Sequence, residues 1–209
     1  NGISANVTSG DYDNIVQDSI KYKDSNLIII FWELSNIING SQYGIELLNE
    51  EQLNEIIATV KLEINLVFRN LKRSTLVFIN KFTSLHFSIL NIRKNNFDKM
   101  CDQLNIFLKE NIPPNFIIIE LEKVIAMVSL TKSLDLRLYF SSKVLYTIDF
   151  FKAYSQFVKP IIMSANGKSK KALIFDCDNT LWKGILGEDG FDKIEMSSKT
   201  KIGKIFFEI

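Results

Sequence analysis

The chain of 209 residues is 46% hydrophobic and carries 25 basic against 24 acidic side chains. Such a chain can bury a real core, which excludes wholesale disorder, and it has neither the basic excess of a nucleic-acid binder nor the acidic excess of a solvating tail. His86 is the sole histidine and Cys101 and Cys177 the only cysteines, which excludes a multi-histidine metal site and a disulfide framework and fits a reducing, cytoplasmic setting.

Three apolar runs have strand character: "NLIIIFWE" (26–33), "STLVFIN" (74–80) and "NFIIIEL" (115–121). They are rich in β-branched and aromatic residues and nearly continuous, as expected of strands covered on both faces. Between them, 49–73 places Leu53, Ile56, Ile57, Val60, Ile64, Val67 and Leu71 at helical spacing behind a candidate N-cap, Asn49. Residues 95–111 repeat the pattern through Phe97, Met100, Leu104, Phe107 and Leu108. Strands alternating with helices predict an α/β fold with a parallel sheet. The apolar stretch 115–130 is interrupted by Glu120, Glu122 and Lys123, so it reads as core and not as a membrane span.

A further amphipathic helix is expected over about 149–165, followed by a small, polar and basic linker, "SANGKSKK" (164–171). A fresh strand, "KALIFD" (171–176), begins after it. The expected organisation is one domain over 1–167 and the start of a second over 168–209.

This last strand runs into "IFDCDNTLW" (174–182). An Asp-x-Asp-x-Thr motif at the tip of a parallel strand sets a carboxylate at the sheet edge where ligands of open α/β folds bind. Asp176 and Asp178 held close repel each other unless neutralised, and a hard cation such as Mg²⁺, with oxygen ligands, would neutralise them. Asp176 could then attack phosphorus, and Asp178 could exchange the proton with the leaving group and water. Thr180 and Asn179 are the candidate phosphate-binding residues. The competing reading is a plain acidic N-cap, with Asp178 or Asn179 starting a helix and no chemistry. Cys177, between the two carboxylates, is either a buried core cysteine or a nucleophilic thiol. The neighbouring charges disfavour its thiolate and favour the first reading.

The stretch "FDCDNTLWKGILGEDG" (175–190) resembles the first motif of the haloacid dehalogenase (HAD) superfamily, and more narrowly of the FkbH-like, type IIIC proteins. The resemblance implies that Asp176 is nucleophile and Mg²⁺ ligand, that Asp178 is the acid/base and a second metal ligand, and that Thr180 is the loop threonine. Lys183 stands where the family often has a glycine; it is either a solvated lysine or a contact for an anionic substrate. Residues 9–31 resemble the early part of the family's N-terminal domain, which is similar to SGNH-hydrolase and flavodoxin-like folds, and 135–158, with the linker that follows, resembles the region joining the family's two domains. The expected fold is thus an SGNH-like parallel sheet followed by the first strand and helix of a HAD-type Rossmannoid domain.

SGNH hydrolases carry a Gly-Asp-Ser block and a late Asp-x-x-His. Here "TSGD" (8–11) has Ser9, Gly10 and Asp11 in the wrong order, and His86 lies among apolar residues. The N-terminal domain is therefore expected to be non-hydrolytic. Only 33 residues follow Asp176, too few to reach the other HAD motifs. The chain is expected to be a segment of a longer protein, inactive by itself. The resemblance implies a phosphatase-like protein that dephosphorylates a glyceryl acyl phosphate, 1,3-bisphosphoglycerate, and loads the acyl group onto an acyl carrier protein in polyketide or related biosynthesis. Two alternatives stay open: a Mg²⁺-dependent phosphatase acting on a small metabolite, and a partner-binding module with a vestigial HAD stub. No nucleic-acid or membrane partner is expected.

Overall fold

The computed structural model describes residues 5–38, 44–85, 94–165, 167, 178–179 and 182–193. The chain divides into two compact units, Asn1–Ile162 and Met163–Ile209.

The first unit is built on three parallel strands in the order β1-β2-β3: β1 (Ile28–Ile30), β2 (Val77–Asn80) and β3 (Phe116–Ile119). Ile28 to Ile30 register with Val77 to Ile79, and Val77 to Asn80 with Phe116 to Ile119. The described helices in chain order are α1 (Ile15–Lys21), α2 (Leu34–Ile37), α3 (Glu50–Leu71), α4 (Asn96–Asn111), α5 (Leu121–Val128), α6 (Leu130–Ser133), α7 (Leu136–Ser142) and α8 (Ile148–Ala165). The fold is α/β, as the strand and helix periodicities predict.

Strand alternation sorts the core into two layers. Ile30, Val77, Ile79 and Phe116 face α3 and α4, where Ile64, Val67, Leu71, Met100 and Leu104 are sealed from solvent. Phe78 and Ile119 face the other way, against α5, α7 and α8. Phe31 makes edge-on ring contacts with Phe150 and Tyr154 of α8 and with Tyr146, just ahead of it. β2 is buried throughout. Among the described residues β1 is paired on one side only and leaves Ile29 half exposed, so the expectation of strands covered on both faces fails there.

The long helices start where their caps dictate. Asn49 accepts a hydrogen bond from the Gln52 backbone N–H, and the Gln52 side chain accepts from the Asn49 N–H, closing a capping box. Asn95 and Asp98 do the same for α4.

The first strand is shorter than its apolar run suggests. Beyond Ile30 the main chain of Trp32 leaves the ladder for the side chain of Asn80, which accepts from the Trp32 N–H and donates to its carbonyl. One fully buried amide thus replaces a backbone rung. Among the described residues, no helix is long and apolar enough to cross a membrane.

Candidate functional site

The described part of the Asp-x-Asp-x-Thr region is a short loop closed by its own polar groups. Asp178 forms an isolated bridge with Trp182. Its Oδ1 accepts two hydrogen bonds at 3.1 Å, from the Trp182 indole Nε1–H and from the Leu186 backbone N–H. Asn179 sits at φ 53°, in the left-handed region that asparagine tolerates better than most residues. Its Oδ1 accepts from Gly184 N–H at 3.0 Å, and its own N–H donates to the Gly184 carbonyl at 3.3 Å. Gly184 has φ 111°, a backbone state that favours glycine. Downstream, Asp189 Oδ2 accepts from Ile185 N–H at 2.9 Å and closes the one-turn helix α9 (Leu186–Asp189).

The consequence for Asp178 is specific. Two donors converge on one oxygen and fix the carboxylate plane, while Oδ2 accepts no hydrogen bond within the described residues. A carboxylate held this way keeps Oδ2 as its remaining acceptor. Asn179, expected to contact phosphate, has its amide oxygen engaged with Gly184, and its Nδ2 remains as the donor. Lys183 is exposed. Asp176, Cys177 and Thr180 lie outside the described residues, as does His86.

Among the described residues, no group of three or more His, Cys, Asp or Glu side chains could hold a metal ion. The Asp178 carboxylate is engaged at Oδ1, so the donors the motif would offer are Asp178 Oδ2, the backbone carbonyl of Asp178 and the carboxylate of Asp176. All are oxygen donors, and that chemistry fits a hard cation such as Mg²⁺.

In the N-terminal unit, the Ser9 hydroxyl makes no hydrogen bond among the described residues. The Ser9 carbonyl accepts from Tyr22 Oη–H at 3.3 Å, and Asp11 N–H donates to Asp18 Oδ2 at 2.7 Å. The segment is pinned by its main chain.

Sequence reasoning missed a buried acid at the carboxyl edge of this sheet. Glu33 follows β1 and is 8% exposed. It accepts from the Tyr146 hydroxyl at 3.2 Å, from the Ser35 hydroxyl at 3.3 Å and from Ser35 N–H at 3.5 Å. Burial pushes its carboxyl up to about 7, against the opposing pull of these hydrogen bonds. Burial, and then the charge of Glu33, also raise the Tyr146 phenol. The available signal was the acid that directly follows "IIIFW"; its partner lies 113 positions away.

No family model matches the sequence, and no curated protein matches it. Among solved structures, the chain is similar to the crystal structure of the N-terminal part of the protein BF1531 from Bacteroides fragilis, a part that contains a phosphatase domain and is complexed with Mg. The TM-score is 0.61 at 22% identity, over 95% of this chain and 55% of that one. The chain therefore spans about half the length of that structure. At this identity the likeness establishes the fold: an α/β protein with a helix-flanked parallel sheet.

Proposed function

We propose that this chain carries the first part of a Mg²⁺-dependent, HAD-type phosphoryl-transfer site, in an FkbH-like protein that processes a glyceryl acyl phosphate. The observation that carries the reading is the clamped Asp178 carboxylate, two residues after Asp176, with one oxygen fixed by Trp182 and Leu186 and the other left for a proton. The fold it shares with a phosphatase-containing, Mg-complexed protein supports the same reading.

In this proposal the Asp176 carboxylate forms an O–P bond to the substrate phosphoryl group as the bond to the leaving oxygen breaks. Asp178 gives its proton to that oxygen. It then takes a proton from the water that cleaves the aspartyl phosphate, which returns Asp176 and releases orthophosphate. Bound Mg²⁺ supplies charge neutralisation of the phosphoryl oxygens. Asn179 Nδ2 and Thr180 are the donors proposed for those oxygens.

Loading an acyl group is a separate step that breaks a different bond. The thiol of a carrier protein attacks the acyl carbon and forms a thioester as the acyl C–O bond breaks, and orthophosphate leaves with the thiol proton. In a bisphosphorylated substrate, the phosphate ester is then the group that Asp176 removes.

The test uses the intact protein with 1,3-bisphosphoglycerate, with and without an acyl carrier protein. Phosphate release together with a mass increase of the carrier equal to a glyceryl unit supports the full reading. Phosphate release with an unmodified carrier reduces it to a phosphatase. Neither product would assign the chain to a binding role and overturn the proposal.

A further inference from the structure

A concavity of about 530 Å³ opens at the amino end of the sheet in the N-terminal unit, lined by Lys23, Arg69, Lys72 and Arg73. Its position follows from the topology. Residues 23–24 precede β1, and 72–74 join α3 to β2, so the ends of two helices converge there. The chain as a whole is nearly neutral, at +1, yet these four cations share one cavity with a single carboxylate, Asp24. None of the four makes an ion pair among the described residues, with Asp24 or with any other acid.

Helix capping is the ordinary reason for basic residues at a helix C-terminus. Here the Leu71 carbonyl already accepts from Ser74 N–H at 3.0 Å and from the Asn115 amide at 2.9 Å, and the Ser74 carbonyl accepts from the same amide at 2.8 Å. The frame is also fixed: Asn70 donates to Ser19 Oγ at 2.8 Å, and Ser74 Oγ–H donates to the Lys23 carbonyl. Polar side chains therefore tie the helix ends together, and the four basic residues, all exposed, line the concavity. Like charges gathered in one concavity repel, and a multiply charged anion removes that repulsion.

We propose that this concavity binds a small anion bearing two phosphoryl groups. Its volume is in the range of small-molecule sites. Two phosphoryl groups, each carrying about −1.5 to −2 charges at neutral pH, match four cations. Two arginines offer the planar forks that take phosphate oxygens in pairs. The proposal is independent of the reading of the Asp176 loop.

The test is calorimetric titration of the chain with pyrophosphate at low salt, with chelator present so that no divalent cation supports binding at the Asp176 loop. The expected result is one saturable site, at least about tenfold tighter for pyrophosphate than for orthophosphate. Arg69→Gln/Arg73→Gln should weaken it at least about tenfold. Lys23→Gln, a single change in the turn after α1, should weaken it in the same direction with an unchanged far-UV spectrum. Lys109→Gln/Lys132→Gln, at cations outside the cavity, should leave it unaltered. Equal binding by the arginine variant, no preference over orthophosphate, or tighter binding of a polyglutamate peptide than of pyrophosphate would each overturn the proposal; the last would assign the surface to an acidic protein partner.

Discussion

The sheet of the N-terminal unit and the loop from Asp178 to Gly190 are held by different forces. Around β2 the order comes from apolar burial on both faces, with Val77, Phe78 and Ile79 sealed from solvent. The loop has no buried hydrophobic residue in α9 and is closed instead by side-chain oxygens of Asp178, Asn179 and Asp189 accepting from indole and main-chain N–H groups. Burial gives stability and tolerates little change of volume. A few directed hydrogen bonds give orientation, and their loss should register in chemistry before it registers in stability.

The largest stability effect should therefore come from the sheet. Phe78→Ala removes a fully buried ring between β2 and the helices of the second layer, and the expected loss is about 3–5 kcal/mol in urea unfolding. A loss below about 1 kcal/mol would mean that this layer is not the core described.

Next in size is Glu33. Its folded-state carboxyl is raised from 4.5 to about 7, so between those pH values the folded protein holds a proton that the unfolded chain has released. Stability from this group is full below 4.5, falls as pH rises through about 7, and is flat above. The decline should reach up to about 3 kcal/mol. Glu33→Gln keeps an acceptor for Tyr146 and should remove the slope. Unfolding midpoints at pH 5 and pH 8 check this, and an unchanged slope in the variant would place the titrating group elsewhere.

Asn49→Ala opens the capping box of α3 and should cost about 1 kcal/mol with no change in the far-UV spectrum. Trp182→Phe should have the smallest effect on stability, under about 0.5 kcal/mol. It removes one of the two donors on Asp178 Oδ1, so turnover of the intact protein should fall about tenfold. A variant that keeps full activity would show that the clamp does not serve the chemistry.

The framework was legible in the sequence because its signals are local. Helical spacing and the Asn49 cap marked α3, and β-branched runs marked the three strands. What stayed hidden depends on residues far apart in the chain. Asn80 gave no sign that its amide would take over the main chain of Trp32 and end β1 early. Glu33 needed Tyr146, and the four cations at the sheet's amino end needed α1 and α3 side by side. In the Asp-x-Asp region the motif named the acids, but not the Trp182 and Leu186 donors that orient one of them.

The central claim, that Asp176 is a phosphoryl acceptor served by an oriented Asp178, is tested most directly by intact mass of the full-length protein after exposure to an acyl phosphate with Mg²⁺. Asp178→Asn should retain a phosphoryl group, because attack on phosphorus with so good a leaving group needs little acid help, whereas hydrolysis of the aspartyl phosphate needs the base. Asp176→Asn should take up none and should lose essentially all turnover, beyond the roughly 10²-fold expected of a merely supporting group. Phosphate found on the Asp176→Asn protein, or turnover near wild type from it, would contradict the account.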